Sequence, residues 1–120
     1  MTIHYRAGEM TQAQLTEKPL EQPTAEALTG EITTRSHAFY NTEDESIKSG
    51  TWECEEGESR WEFTTRGEVI YVLSGSMTVV EDSGEPVTLT AGSSAVFPVG
   101  WCGNWTVHET LRKVFVIYSA

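Results

Sequence analysis

The segment ESRWEFTTRGEVIYVLSG, residues 58–75, decides the fold. An extended chain points successive side chains to opposite sides, so Trp61 and Phe63 share one face while Arg60, Glu62 and Thr64 share the other. The polar TTRG that follows reads as a turn. Beyond it the alternation resumes, and Glu68 falls into one row with Ile70 and Val72, a carboxylate among β-branched residues. The apolar face of such a strand normally meets the core, but a barrel covered on its outside can bury either face. Which face of 58–64 points inward stays open at this level.

Outward from this segment the punctuation is regular. Glycines stand at 50, 57, 67, 75, 84, 92 and 100, separated by short runs of Val, Ile, Thr, Tyr, Phe and Trp. Evenly spaced short strands with turn residues between them indicate an all-β sandwich or barrel rather than alternating helices and strands. The pattern predicts strands over 31–40, 47–56, 58–64, 68–74, 76–81, 86–90, 94–97, 101–108 and 111–119. EDSGEP, residues 81–86, reads as a hairpin turn in which Asp82, Ser83 and Gly84 supply side-chain hydrogen bonds and a positive φ. Residues 1–30 differ: Pro19 and Pro23, several Gln, Thr and Glu, and scattered Met10, Leu15, Leu20 and Leu28 sustain no period. They predict an irregular, extended N-terminal arm with a helical turn near 11–17 and an apolar start, Ile3 to Tyr5, able to add a strand. Residues 31–120 form the single barrel domain.

A chain of 120 residues suffices for one hydrophobic core. With 8 Lys and Arg against 18 Asp and Glu, its formal charge is −10, and the acids cluster in Glu43 to Glu45, Glu53 to Glu58 and Glu81 to Glu85. Such a surface repels phosphate backbones and anionic lipids, so neither nucleic acid nor membrane is an expected partner. No apolar run approaches the length of a membrane span. The N-terminus shows no apolar segment behind basic residues, so the expected location is the cytoplasm, where Cys54 and Cys102 are free thiols.

The run GESRWEFTTRGEVIYVLSG, followed by GSSAVFPVGWCGNW, resembles the two motifs of the cupin superfamily, small β-jelly-roll barrels built as a double-stranded β-helix. Gly57, Glu68 and Gly75 fall on fixed points of the first motif, and Gly92, Pro98 and Gly100 on those of the second. The wider pattern, GTWECEEGESRW with FPVGWCGNWTV and LRKVFVIY, is similar to a cupin subgroup that includes ureidoglycine aminohydrolase-like proteins. The resemblance covers roughly residues 50 to 118 and bears on fold more than on chemistry, because one fold hosts many reactions.

In metal-binding cupins, the resemblance implies, two histidines, a glutamate and a third histidine converge on one divalent transition metal. Counting back from Glu68 puts Trp61 and Phe63 at the two histidine positions, and Gly103 falls at the third. Neither Trp nor Phe has a lone pair for a cation, so in this register no metal site and no cofactor are expected. A register shifted by one residue puts Glu62 and Thr64 there instead, closer to the ureidoglycine aminohydrolase-like pattern, whose first ligand is a glutamate. A metal site from Glu62, Glu68 and Cys102 is the resulting alternative, and its mixed hard and soft donors suit no single common metal well.

In the last strand, LRKVFVIYS, residues Leu111, Lys113, Phe115 and Ile117 share one face, and Arg112, Val114, Val116 and Tyr118 share the other. A cation falls among apolar residues whichever face is inside. A buried lysine needs a carboxylate partner, and Glu68 is the expected one. A Glu68–Lys113 pair could bind a small polar ligand or move a proton for it, making these two the candidate catalytic residues. The plainer alternative is that Lys113 snorkels to the surface. The candidate ligand-binding residues are Trp61, Glu62, Phe63, Tyr71, Phe97, Trp101, Cys102 and Trp105. The competing reading has the aromatic side chains filling the core or covering a dimer interface. His4, His37 and His108 fall on no motif position.

These readings leave three functions: a small-molecule-binding cupin without the usual histidine metal site, an enzyme acting on a small nitrogen-containing metabolite as C–N hydrolase or isomerase, and a structural or interaction module. A homodimer is expected, because strands with aromatic residues on both faces carry more apolar surface than one barrel interior takes up.

Overall fold

In the computed structural model, which describes residues 1–20 and 25–119, the chain is an all-β jelly roll. Residues 21–24 of the arm, Pro23 among them, and the last residue of the barrel domain lie outside the described residues. The strands are β1 (Thr16–Pro19), β2 (Ala25–Ala27), β3 (Thr33–Asn41), β4 (Ile47–Cys54), β5 (Gly57–Glu62), β6 (Arg66–Glu81), β7 (Pro86–Thr90), β8 (Ser94–Phe97) and β9 (Cys102–Ser119). Their order is β1-β3-β4-β9-β5-β2, with β6 also paired to β9, and β7 and β8 paired to β6. No described helix is long and apolar enough to cross a membrane.

The strands β7 and β8 match their expected ranges, but two pairs of expected strands are fused. The ranges 68–74 and 76–81 belong to the single 16-residue β6, and 101–108 and 111–119 to the 18-residue β9. The β6–β9 register slips three times between Val72 and Met77, around Gly75, whose φ is +83°. Gly75 therefore bends a continuous strand through irregular pairing instead of ending it, a use of glycine that reads like a turn in sequence. In the 81–86 hairpin the positive φ falls on Ser83, at 65°, and the Gly84 N–H donates to the Glu81 carbonyl at 2.8 Å.

The arm is more ordered than its composition indicates. Its strands pair at opposite ends of the strand order, β1 on β3 and β2 on β5 with Ala25 opposite Trp61. Two 3-10 turns, Ala7–Glu9 and Gln12–Gln14, precede β1, and the second carries a capping box at Thr11. Residues Ile3 to Tyr5 form no strand. Tyr5 instead lays its ring 4.2 Å from that of Phe39, with its hydroxyl 2.7 Å from Thr51 Oγ1. A segment of three or four residues held by edge hydrogen bonds shows no alternation long enough to be read.

The first 14 residues strap the outer face of β3, β4 and β9. There Arg35 Nε donates to Glu53 Oε1 at 2.7 Å, and Arg112 Nε and Nη2 donate to Glu53 Oε2 at 3.0 and 2.9 Å. Arg112 Nη1 donates to the Met10 and Ala7 carbonyls at 2.6 and 3.2 Å, and Gln12 Nε2 to Glu53 Oε1 at 3.1 Å. Burial pushes the Glu53 carboxyl up, but hydrogen bonds and charge from Arg35 and Arg112 outweigh it and hold the group below the usual carboxylate range.

Inside, the open question of β5 is answered: Trp61 and Phe63 are buried, and Glu62 and Thr64 face solvent. The rings of Trp61 and Trp105 stack at 3.8 Å, and Phe97 packs against Trp105 at 4.8 Å and Trp101 at 5.0 Å. Each such pair adds about 0.5–1.5 kcal/mol beyond the area it buries.

Candidate functional site

Strand parity builds the site. On β9 the inward row is Leu111, Lys113, Phe115 and Ile117; on β6 it is Arg66, Glu68, Ile70 and Val72. The inward row of β4 carries Lys48, Trp52 and Cys54, and pairing sets Trp52 directly opposite Lys113. These rows, with Thr34, Ser36 and Ala38 of β3, enclose a cavity of about 420 Å³. That size lies within the usual range of small-molecule sites, roughly 300–1,000 Å³.

Lys113 and Glu68 form its floor. The Lys113 Nζ donates to Glu68 Oε2 at 2.7 Å, with the lysine 1% and the glutamate 4% exposed. The ammonium also stands 4.4 Å from the ring centre of Trp52, 4.7 Å from that of Trp105 and 5.9 Å from that of Trp61. Cation–π attraction of this kind reaches about 2 kcal/mol where water is excluded. The snorkelling alternative is overturned, because the charge sits at the inner end of the cavity and the carboxylate and indoles replace its hydration.

The candidate residues separate into three groups. Trp61 and Phe63 line the cavity together with Glu68 and Lys113. Phe97, Trp101 and Trp105 do not line it; they are buried and pack behind its wall, with the Trp105 ring 4.7 Å from the Lys113 ammonium. Glu62, Cys102 and Tyr71 lie on the outer face. Glu62 pairs with Cys102 in register and approaches Arg60 Nη2 at 3.6 Å, while Tyr71 is 45% exposed, three residues from Glu68 and so of opposite parity. The alternative metal set of Glu62, Glu68 and Cys102 is therefore split by the sheet itself, because β5 turns its apolar side inward.

A divalent metal does not fit the residues at the motif positions. Trp61 and Phe63 offer carbon surfaces, Gly103 offers no side chain, and Glu68 already holds an ammonium. Among the described residues, no group of three His, Cys, Asp or Glu could hold a metal ion. Cys54 lies in the core near this site, and burial pushes its thiol up to about 12 against the weaker opposing pull of the Lys113 charge.

Sequence reasoning missed Phe115 as a cavity wall and Lys18, Lys48 and Arg66 as lining cations. Parity carried a signal for some of them: two residues back from Glu68 is Arg66, and four back from Trp52 is Lys48. For Lys18 there was none, because β1 shows no alternation.

The family model of the EutQ-like cupin domain matches residues 41–115. Among solved structures, the Clostridium difficile EutQ protein is similar at 24% identity and a TM-score of 0.62, over 74% of this chain and 64% of that one. A protein of unknown function from Pseudomonas syringae pv. tomato DC3000, of the DUF861 family, gives 17% identity and a TM-score of 0.74 over 86% of this chain and 43% of its own. A DUF861 family protein from Thermotoga maritima shares 32% identity with a TM-score of 0.51, over 54% of this chain and 73% of its own. The chain thus spans less than two thirds of the length of the first two. No curated protein matches.

Proposed function

The chain belongs to the EutQ-like cupin family, and from that premise we propose that it binds a small polar molecule in the barrel, using the Lys113 ammonium where metal-dependent cupins use an ion. The observation that carries this reading is the buried Lys113–Glu68 pair, 2.7 Å apart at the floor of an aromatic-walled cavity. A charge kept inside a barrel is costly unless answered, and here the answering carboxylate and rings leave it facing the cavity. The test is a titration of the full chain with a panel of small polar metabolites, followed through the indole N–H resonances of Trp52 and Trp61. At least one member is expected to shift both resonances in the wild type and neither in Lys113→Met; a panel that moves neither overturns the reading.

A second reading is an enzyme, with Glu68 and Lys113 as acid and base on a C–N bond or in an isomerisation, as the resemblance to ureidoglycine aminohydrolase-like proteins suggested. Their hydrogen-bonded contact supports proton exchange. Turnover surviving in a folded Glu68→Gln variant would exclude it. The interaction-module alternative expected a barrel filled by side chains, and the cavity at Glu68 gives it no such support.

We also propose that two copies associate through the outer face of β8, β6 and β9. Val96, Val69 and Val116 lie side by side across these strands, next to Tyr71, and all four are exposed. In a chain of charge −10, two copies meet with least repulsion where a face carries no charge.

A further inference from the structure

Resting on the small-molecule reading above, we infer that the ligand is a small organic anion, a carboxylate with a flat apolar body. The argument is one of charge placement. The chain holds 8 Lys and Arg against 18 Asp and Glu, yet the described cavity lining contains four of those cations, Lys18, Lys48, Arg66 and Lys113, and one carboxylate, Glu68. Glu68 answers Lys113 at the floor. The other three cations stand where exposure is greater, Lys18 at the surface and Lys48 and Arg66 half-buried. The cavity is thus a cationic opening in an acidic molecule, an arrangement that draws in anions and turns cations away.

The partner of Lys48 leaves room for a ligand. Lys48 Nζ approaches Glu45 Oε1 at 3.3 Å, but the lysine side chain is 38% and the glutamate 71% exposed, and pairs open to solvent in this way contribute about 0–1 kcal/mol, so a carboxylate can compete for the lysine. Below the rim, Trp52, Trp61 and Phe63 present ring surfaces, and Thr34 and Ser36 present hydroxyls. A ligand with its carboxylate at the rim and a planar body against the rings meets complementary chemistry at each level. A ligand with an ammonium group faces three cations at the entrance.

Calorimetric titration of the full chain at low ionic strength with benzoate, benzamide and benzylamine tests this, because the three share a ring and differ in charge. Benzoate is expected to bind at least tenfold more tightly than benzamide, with benzylamine weakest, and the advantage should shrink in 0.5 M salt as screening sets in. In the Lys18→Gln/Lys48→Gln variant, checked for native circular dichroism, discrimination between benzoate and benzamide should fall below threefold. Benzamide or benzylamine binding as tightly as benzoate overturns the inference and leaves the small-molecule reading standing. No binding by any of the three counts against both.

Discussion

Lys113 shows how a single residue sets the character of this barrel. Its charge has lost nearly all contact with water, and Glu68 and the surrounding indoles compensate. Lys113→Met keeps the stem's bulk but leaves Glu68 buried without its partner, and breaking a buried pair in this way costs about 3–5 kcal/mol. The double variant Glu68→Gln/Lys113→Met removes both charges and should recover much of that loss in urea unfolding. A double variant no more stable than Lys113→Met would show that the pair is not what Lys113 stabilises. The two cysteines give a second residue-level test. With its thiol pushed up to about 12 and buried, Cys54 should resist a thiol reagent at pH 8, while half-exposed Cys102 reacts, so the native chain should titrate as one thiol and the unfolded chain as two. The residue-level reading of the sequence succeeded where parity was enough: the Glu68–Lys113 contact follows from two alternating rows. The outward placement of Tyr71, Glu62 and Cys102 was not legible in the same way, because alternation says which residues share a face but not which face is inside.

At the scale of elements, the long strands depend on the places where they are irregular. Gly75 has a φ of +83°, and a Cβ there would collide with the Thr110 carbonyl. Gly75→Ala should therefore lower stability by more than the 1–3 kcal/mol that the backbone conformation alone costs, measured as a fall in the urea midpoint. The same glycine made one strand look like two in the sequence, since bulge and turn ask for the same residue. The short edge strands β1 and β2 were illegible for the opposite reason: hydrogen bonds to β3 and β5 define them, not their own composition. The Arg35–Glu53–Arg112 network ties β3, β4 and β9 to the strap, and its contribution to stability depends on pH. Glu53 has a lower pKa folded than unfolded, so its contribution is complete at neutral pH and is lost as pH falls through the folded value. The stability gap between wild type and Glu53→Gln should therefore be widest near pH 7 and narrow steadily below about pH 4, near the unfolded carboxyl value. A gap unchanged down to pH 3 would contradict the network's role.

For the molecule as a whole, charge and apolar surface are segregated. The acidic exterior, the cationic cavity and the uncharged outer row at Val69 and Val116 divide one small barrel into regions of different chemical character. Light scattering behind size exclusion should give twice the 13.3 kDa chain mass at micromolar concentration, and Val69→Lys should return it to the single-chain value. A wild-type monomer would remove the proposed interface. The jelly roll itself was legible because glycine spacing and alternation agree along most of the chain, whereas the charge of the cavity emerges only when residues from β1, β4, β6 and β9 are brought together.

The stacked indoles have a consequence of a different kind. Trp61 and Trp105 lie with ring centres 3.8 Å apart and planes 20° from parallel, and Trp61 also forms part of the cavity wall. Two identical chromophores at that separation share their excited states, so their absorption should split into a paired positive and negative band in circular dichroism. The barrel thus carries its own optical gauge, one whose signal follows the angle between two rings and so reports on the pairing of β5 with β9, the strands that carry them.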